Sequence, residues 1–171
     1  GQQLTITISI TGEVKSNSAI TRARARPGDL LFVTGTIGDA AAGLSLIGDT
    51  NTLGEDEQLL MERFSKPSAR IEVGQSLLDI ASAAIDVSDG LFADTGKLLK
   101  ASGVGGSINV NQIPFSQSMT NLYSFEKRQE FALNGGDDYE LLFAVPESGI
   151  EQLNRIKETL DTPITPVSYT H

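Results

Sequence analysis

The segment DVSDG at residues 86–90 carries two carboxylates and a hydroxyl at the point where an apolar run ends and a helical pattern begins. Asp86 and Asp89 are three positions apart across a tight turn, so both could reach one Mg²⁺ or two neighbouring ions. Mg²⁺ prefers such oxygen ligands together with substrate phosphates. The Ser88 hydroxyl could donate a hydrogen bond to a phosphate oxygen. Alternatively, Ser88 or Asp89 only caps the following helix, a common role worth about 1 kcal/mol.

A second acidic turn, NGGDDYE at residues 134–140, places three carboxylates after paired glycines. Glycines allow backbone conformations closed to other residues and let the main chain approach a ligand closely. The competing interpretation is an ordinary glycine turn before a strand, with its acids facing solvent. A third stretch, TGTIGD at residues 34–39, lacks the lysine and the spacing of a P-loop. It is interpreted as a structural turn, with Asp39 near a helix start.

Basic side chains near the N-terminus offer a further contact for phosphates. Arg22, Arg24 and Arg26 alternate along a linker and could bind polyphosphate, although arginines in such positions are more often solvated. The single histidine is the last residue, His171, so a histidine-based triad or zinc site is not supported. The chain has no cysteine, which excludes disulfides, thiolate metal sites and cysteine catalysis.

Alternating strands and helices must position these turns. Apolar runs predict strands at residues 29–34, 83–85, 106–110 and 140–145. Helical spacing of apolar residues predicts helices at residues 37–47, 56–64, 69–81, 91–103, 119–130 and 150–160. This alternation is typical of α/β or α+β layers. The predicted fold class is therefore α/β, in an α+β layered arrangement, with the candidate metal- and phosphate-binding residues at strand ends.

Composition limits the classes of partner. The 171 residues include 13 basic and 22 acidic side chains, a formal charge of −9, which disfavours sequence-independent binding to nucleic acid. No apolar run is long enough for a membrane span, and no signal-peptide pattern is present. We therefore expect no nucleic acid or membrane partner, and a cytoplasmic location, which the lack of cysteine also suits.

The first residues follow a different pattern from the rest. Residues 4–14, LTITISITGEV, alternate apolar and polar side chains with the period of a strand buried on one face. No second strand lies within hairpin distance, so the partners of this strand must lie elsewhere. A linker then ends at Pro27-Gly28, a turn signature. The predicted division is residues 1–26 as the last strand of an N-terminal domain plus a linker, and 27–171 as a C-terminal α/β domain that lacks its end.

Read in order, the motifs resemble the thiamine-monophosphate kinase family, part of the superfamily of aminoimidazole ribonucleotide synthetase and selenophosphate synthetase. The resemblance rests on ITGEV, RPGDLLFVTGTIGDAAAGL, DVSDGLFAD and ALNGGDDYELLFAVP. It covers nearly the whole chain, and the last three blocks together are specific.

The resemblance implies transfer of a phosphate from ATP to thiamine monophosphate, with Mg²⁺ between the phosphates and thiamine diphosphate as the product. By position, Asp86 and Asp89 would be metal ligands, Ser88 and Arg22 would contact ATP, and Asp137 falls on a family glutamate that faces the substrate. No residue is assigned as a catalytic acid, base or nucleophile. Members of this family also carry a preceding α/β domain with further metal-binding aspartates, and a later segment with an aromatic residue. The resemblance implies a homodimer for the complete enzyme and an inactive fragment here.

Two other functions fit parts of the pattern. One is the C-terminal domain of another ATP-dependent synthetase of the superfamily, although the GGDDYEL segment favours the kinase. The other is a non-catalytic nucleotide-binding module that retains the fold, against which the intact DVSDG turn argues.

Overall fold

The computed structural model describes residues 4–48 and 53–171. Its strands are β1 (Leu30–Thr34), β2 (Ala83–Val87), β3 (Gly106–Ile108), β4 (Glu140–Val145) and β5 (Ile164–Thr170). They form one sheet in the order β2-β4-β1-β5-β3, and every neighbouring pair is antiparallel.

Helices cover both faces of this sheet. They are α1 (Asp39–Ser45), α2 (Glu55–Ser65), α3 (Ile71–Ser76), α4 (Leu91–Ser102), α5 (Gln117–Leu122), α6 (Phe125–Asn134) and α7 (Ile150–Lys157), with short 3-10 turns at Val110–Gln112 and Glu147–Gly149. The predicted mixed α/β layered class is confirmed. None of the helices in the described part of the chain is both long and apolar enough to cross a membrane.

The central strands are apolar at successive positions because both of their faces are buried. In β4, Leu142 and Ala144 belong to a core shared with α4, whereas Phe143 and Val145 belong to a core shared with α3 and α7. Phe32 of β1 stacks on Phe143, with ring centroids 5.7 Å apart. A third, smaller cluster joins α1, α2, α5 and α6. The sheet is thus held between two helical layers, which fixes its strand ends.

The direction of the strands brings the glycine-rich and acidic turns to one edge of the sheet. Both β1 and β2 pair antiparallel with β4, so they run in the same direction and end where β4 begins. Val87, the last residue of β2, is paired with Glu140, the first residue of β4. The segments at residues 34–39, 86–90 and 134–140 therefore meet at this edge.

Two predicted helices differ from the structure, and one strand of the structure is missing from the prediction. The helix predicted at 69–81 ends at Ser76, and Asp79 beyond it has a positive φ of 66°. The helix predicted at 119–130 is two helices, because Ser116 and Ser124 each cap a new helix start. Strand β5 is not among the predicted strands, and it contains a proline, which cannot donate to the sheet ladder. Pro166 lies at a register shift between β5 and β1, where the regular ladder is already broken.

The N-terminal segment lies outside the sheet. Leu4, Ile6, Ile8 and Ile10 are 74–90% exposed, and residues 4–14 form no strand in this structure. Assignment of the segment to a preceding domain stays a prediction. The linker, in contrast, packs on the domain before the predicted boundary at residue 27: Ile20 packs against the core that contains Phe143, and the Thr21 carbonyl accepts a hydrogen bond from the Ala84 N–H.

Candidate functional site

The two acidic turns contact each other directly. The Asp137 N–H donates to the Ser88 carbonyl at 3.1 Å, and the Tyr139 N–H donates to the Val87 carbonyl at 2.9 Å. A Cβ added to Gly136 would lie 2.2 Å from the Ser88 carbonyl oxygen, so only glycine allows this approach. The sequence-predicted residues Ser88, Asp89 and Asp137 are thereby brought into one surface.

The turn at residues 86–90 does not cap α4 in the way that the alternative interpretation expects. The N-cap of α4 is Gly90, which has no side chain and a φ of 104°. An added Cβ there would meet the carbonyl oxygens of Leu133 and Gly135 at 2.8 and 2.9 Å. The side chains of Asp86 and Asp89 are exposed, and Ser88 is half-buried. The polar side chains of the turn are therefore not used to cap α4.

Asp94, in the first turn of α4, fixes the shape of this turn. Its carboxylate is fully buried, and Oδ2 accepts the N–H groups of both Ser88 and Asp89 at 2.9 Å. Its other oxygen, Oδ1, accepts Lys97 Nζ at 2.7 Å. Lys97 also forms an ion pair with Asp89 Oδ2. The hydrogen bond that Lys97 donates to Asp89 raises the pKa of Lys97 above its ordinary value, and the hydrogen bond to Asp94 adds a smaller effect in the same direction.

Tyr139 lies among the three predicted acidic residues. Its hydroxyl donates to Asp137 Oδ1 at 3.1 Å. That hydrogen bond and the charge of Asp137 raise the pKa of Tyr139, and the charges of Asp86 and Asp89 act in the same direction. Both Asp137 and Tyr139 have positive φ, 67° and 51°. The carboxylates of the two turns thus share one electrostatic environment around the Tyr139 ring.

Two further acids of the second turn point into the protein. Asp138 accepts the N–H groups of Gly38 and Ala40, at 2.7 and 3.1 Å, at the start of α1. Burial raises the pKa of Asp138 to about 7, although these two donors act in the opposite direction. The competing interpretation of an ordinary glycine turn with solvent-facing acids is therefore wrong for Asp138.

Glu140 anchors the end of the same turn. Its fully buried carboxylate accepts Thr34 Oγ1 at 2.6 Å, Arg63 Nη2 at 2.7 Å, and Arg70 through Nε at 2.7 Å and Nη2 at 2.6 Å. The hydrogen bond to Glu140 raises the pKa of Arg70. The second turn is therefore held from below by Asp138 and Glu140, which leaves Asp137 and Tyr139 at the surface.

The segment at residues 34–39 is structural, as expected. Asp39 is the first residue of α1 and is buried. Its carboxylate accepts the hydroxyls of Thr36 and Ser116, both at 2.6 Å. These bonds use the carboxylate for packing α1 against α5.

Arg22 is not brought to the two turns. Its carbonyl accepts the hydroxyl of Ser102, the last residue of α4, whereas the acidic turn precedes Leu91, the first residue. The helix separates these points by about 18 Å. A contact between Arg22 and a nucleotide stays a prediction.

The exposed residues suit a cation held jointly with an anionic ligand. Within residues 4–48 and 53–171, no three His, Cys, Asp or Glu side chains group as a complete metal site. Mg²⁺ commonly takes only one or two protein carboxylates and completes its shell with phosphates and water. The Lys97 ammonium on Asp89 shows that this carboxylate accepts a cation. The residues present therefore fit a divalent ion that also requires a phosphate ligand.

Sequence reasoning missed the residues that support this surface. Asp94 and Lys97 are three positions apart on a predicted helix, a spacing at which side chains meet, so the ion pair could have been inferred. The burial of Asp138 and Glu140 next to Asp137 had no comparable signal, because their hydrogen-bond partners are 70 to 106 positions away.

Comparison with known proteins places these residues in a family. The family described as AIR synthase related protein, C-terminal domain, matches residues 26–158. The chain is 40% identical to thiamine-monophosphate kinase of Haemophilus influenzae over 164 residues, and 42% identical to that of Escherichia coli K12, covering 95% of this chain and 50% of each relative. It thus spans about half the length of the curated relatives it matches.

Solved structures agree with this similarity. The thiamine-monophosphate kinase of Stenotrophomonas maltophilia superposes with a TM-score of 0.86 at 36% identity, covering 92% of this chain and 52% of that one. The structure of AaThiL complexed with AMPPCP and TMP superposes with a TM-score of 0.76 at 35% identity, covering 89% and 48%.

Proposed function

We propose that this chain, which belongs to the AIR synthase related protein, C-terminal domain family, supplies one half of the active site of an ATP- and Mg²⁺-dependent thiamine-monophosphate kinase. Asp86 and Asp89 hold Mg²⁺ against the polyphosphate, Ser88 contacts ATP, and Asp137 faces the thiamine monophosphate. The relatives that are about 40% identical carry this activity in their names, and one related structure contains AMPPCP, an ATP analogue, together with TMP.

The observation that carries the proposal is the direct contact between the two acidic turns. The 3.1 Å hydrogen bond from the Asp137 N–H to the Ser88 carbonyl places the proposed metal-binding and substrate-binding residues side by side. Phosphoryl transfer needs both phosphates and the metal aligned in one place. The pairing of β2 with β4 brings the two turns together, and the proposal is that the acids on both turns serve the same ligands.

The chain's own residues contribute position and charge. Asp94 holds the N–H groups of Ser88 and Asp89, so the Asp89 side chain leaves the turn in a defined direction. Mg²⁺ held by Asp86 and Asp89 would supply positive charge that offsets the charge of the phosphates. Without a cation, carboxylates facing phosphates repel them. The acidic surface is therefore explained by an ion that the protein and the phosphates share.

Alignment of two substrates also requires groups from outside this chain. The proposed surface is open, with Asp86 and Asp89 exposed, and a phosphoryl transfer site must exclude water and hold both reactants. We infer that the remaining half of the relatives' length provides the opposing wall, that the complete protein is a cytoplasmic homodimer, and that the chain alone has no useful turnover.

The test joins this chain to the first half of the Haemophilus influenzae relative and measures thiamine diphosphate formation. Mg²⁺-dependent product is expected, and Asp86→Asn should remove most of it. Asp79→Asn is the matched control, since Asp79 is an exposed acid with a positive φ that asparagine tolerates well, and it precedes β2 rather than following it. Equal activity of both variants in a folded chimera would contradict the proposed metal site.

A further inference from the structure

Lys97 is the one cation that the described residues place directly on a proposed metal ligand. Its ammonium bonds Asp89 Oδ2 and Asp94 Oδ1 together. We propose that Lys97 competes with the divalent ion for Asp89 when no phosphate is present, and binds an anionic oxygen of the polyphosphate once the metal has taken Asp89. This inference rests on the proposed function.

The two carboxylates that Lys97 contacts differ in how readily they can release the ammonium group. Asp94 is fully buried and already accepts two backbone N–H groups, so its orientation is fixed. The Asp89 side chain is 63% exposed, and only Lys97 donates a side-chain hydrogen bond to it among the described residues. Asp89 can therefore exchange Lys97 for another cation, while Asp94 keeps the ammonium in place.

The released ammonium would lie beside the exchanged cation. Lys97 is anchored one helical turn beyond Asp94 on α4, so retention of the Asp94 bond keeps Nζ within reach of the Asp89 carboxylate. The side chain is 38% exposed and faces open surface. A lysine ammonium is a compact cation with three donors, so it can bond Asp94 and a phosphate oxygen at the same time. The same charge that opposes a bare metal ion then favours a metal–polyphosphate complex.

Removal of the Lys97 charge should have opposite effects on the binding of the free metal ion and of the metal–polyphosphate complex. Removal of the Lys97 charge should tighten binding of a free divalent ion, because its competitor and a nearby positive charge are gone. The same change should weaken binding of the metal with its polyphosphate, because a charge-assisted hydrogen bond is lost. A lysine with only a structural role would weaken both, since loss of the turn geometry harms every ligand.

The experiment titrates the chain with Mn²⁺ alone and with the Mn²⁺–tripolyphosphate complex, and follows bound manganese by electron paramagnetic resonance. Lys97→Met should bind Mn²⁺ about threefold more tightly and the complex about threefold more weakly. Lys97→Arg keeps the charge and should stay close to the unmodified chain for Mn²⁺. Lys100→Met, which removes an exposed lysine one turn further along α4, is the matched control and should change neither affinity.

Each outcome assigns the failure to one proposal. If Mn²⁺ binds and Asp89→Asn abolishes that binding, but Lys97→Met behaves like Lys100→Met or weakens both ligands, the role of Lys97 is wrong and the metal site stands. If neither the unmodified chain nor Lys97→Met binds Mn²⁺ or the Mn²⁺–tripolyphosphate complex, the proposed metal site is itself wrong. Circular dichroism of each variant shows that loss of binding is not loss of the fold.

Discussion

Glu140→Gln should be among the most destabilising isosteric changes in this chain. Glu140 is fully buried and accepts hydrogen bonds from one hydroxyl and two guanidinium groups. Glutamine keeps the size of the side chain but removes its charge, and its amide NH₂ would face arginine donors. Arg63 and Arg70, whose side chains are 25% and 19% exposed, would then lack their shared counter-charge.

The magnitude follows from the cost of breaking a buried ion pair. Removal of one partner typically costs about 3 to 5 kcal/mol, because an uncompensated charge stays in the interior. This is a large share of the total stability of about 5 to 15 kcal/mol expected for a domain. With a urea m-value of about 2 kcal/mol per molar, the unfolding midpoint should fall by about 2 M.

Urea unfolding followed by far-ultraviolet circular dichroism measures this shift, since the chain contains no tryptophan. Glu62→Gln is the matched control, because Glu62 is 60% exposed and, within residues 4–48 and 53–171, its one ion pair is a 3.6 Å surface contact with Lys66. Its midpoint should move by less than about 0.5 M. A double-mutant cycle with Arg70→Met should show coupling between Glu140 and Arg70 of at least about 1 kcal/mol.

Two results would refute the reasoning. One is a Glu140→Gln midpoint shift no larger than that of Glu62→Gln. The other is additivity of Glu140→Gln and Arg70→Met, which would show that the 2.6 Å contact between these side chains contributes no net stability.

Three further predictions concern the same edge of the sheet. The pKa of Asp138 is raised to about 7 from 3.8, so its contribution to stability is fully present below about pH 4 and is lost as the pH rises through 7. Urea unfolding should show about 2 kcal/mol of loss between pH 5 and pH 7, and Asp138→Asn should abolish this loss. Gly136→Ala should lower the unfolding free energy by more than about 2 kcal/mol, because its Cβ would lie 2.2 Å from the Ser88 carbonyl oxygen, whereas Gly96→Ala, with open space around it, should be neutral or slightly stabilising; similar effects of the two changes would argue against the close contact. The chain alone should form no measurable thiamine diphosphate from ATP and thiamine monophosphate, as followed by chromatography, and turnover comparable with that of a full-length relative would contradict the need for a second half of the site.

Local patterns in the chain were sufficient to identify most helices and strands and the two acidic turns at residues 86–90 and 134–140. Strands β1, β2 and β4 and helices α2, α4 and α7 follow from apolar runs and helical spacing, and Gly103, predicted as the end of α4, is its left-handed C-cap. The pairing of Asp86 with Asp89 across a turn is likewise visible as a spacing. These features depend on residues that are close in the chain, so their physics can be read from the sequence.

Other features depended on contacts between distant residues. Strand β5 is not among the predicted strands, and a register shift beside β1 accommodates its proline. Two adjacent acids of one turn differ in burial, since Asp138 is buried and bonds to the start of α1 whereas Asp137 is only half-buried. Side-chain burial of this kind is decided by which elements lie opposite, and the sequence alone does not contain that arrangement.

The candidate site combines both kinds of information. The residue types at positions 86–90 and 134–140 set its chemistry, because carboxylates and hydroxyls bind hard cations and phosphates wherever they are placed. Their meeting was decided by the tertiary structure: β1 and β2 run in the same direction only because both pair antiparallel with β4. The pairing of β2 with β4 also brings Ser88 and Asp137, which are 49 positions apart, into hydrogen-bond contact, since sheet pairing, unlike helical spacing, joins residues irrespective of their separation along the chain.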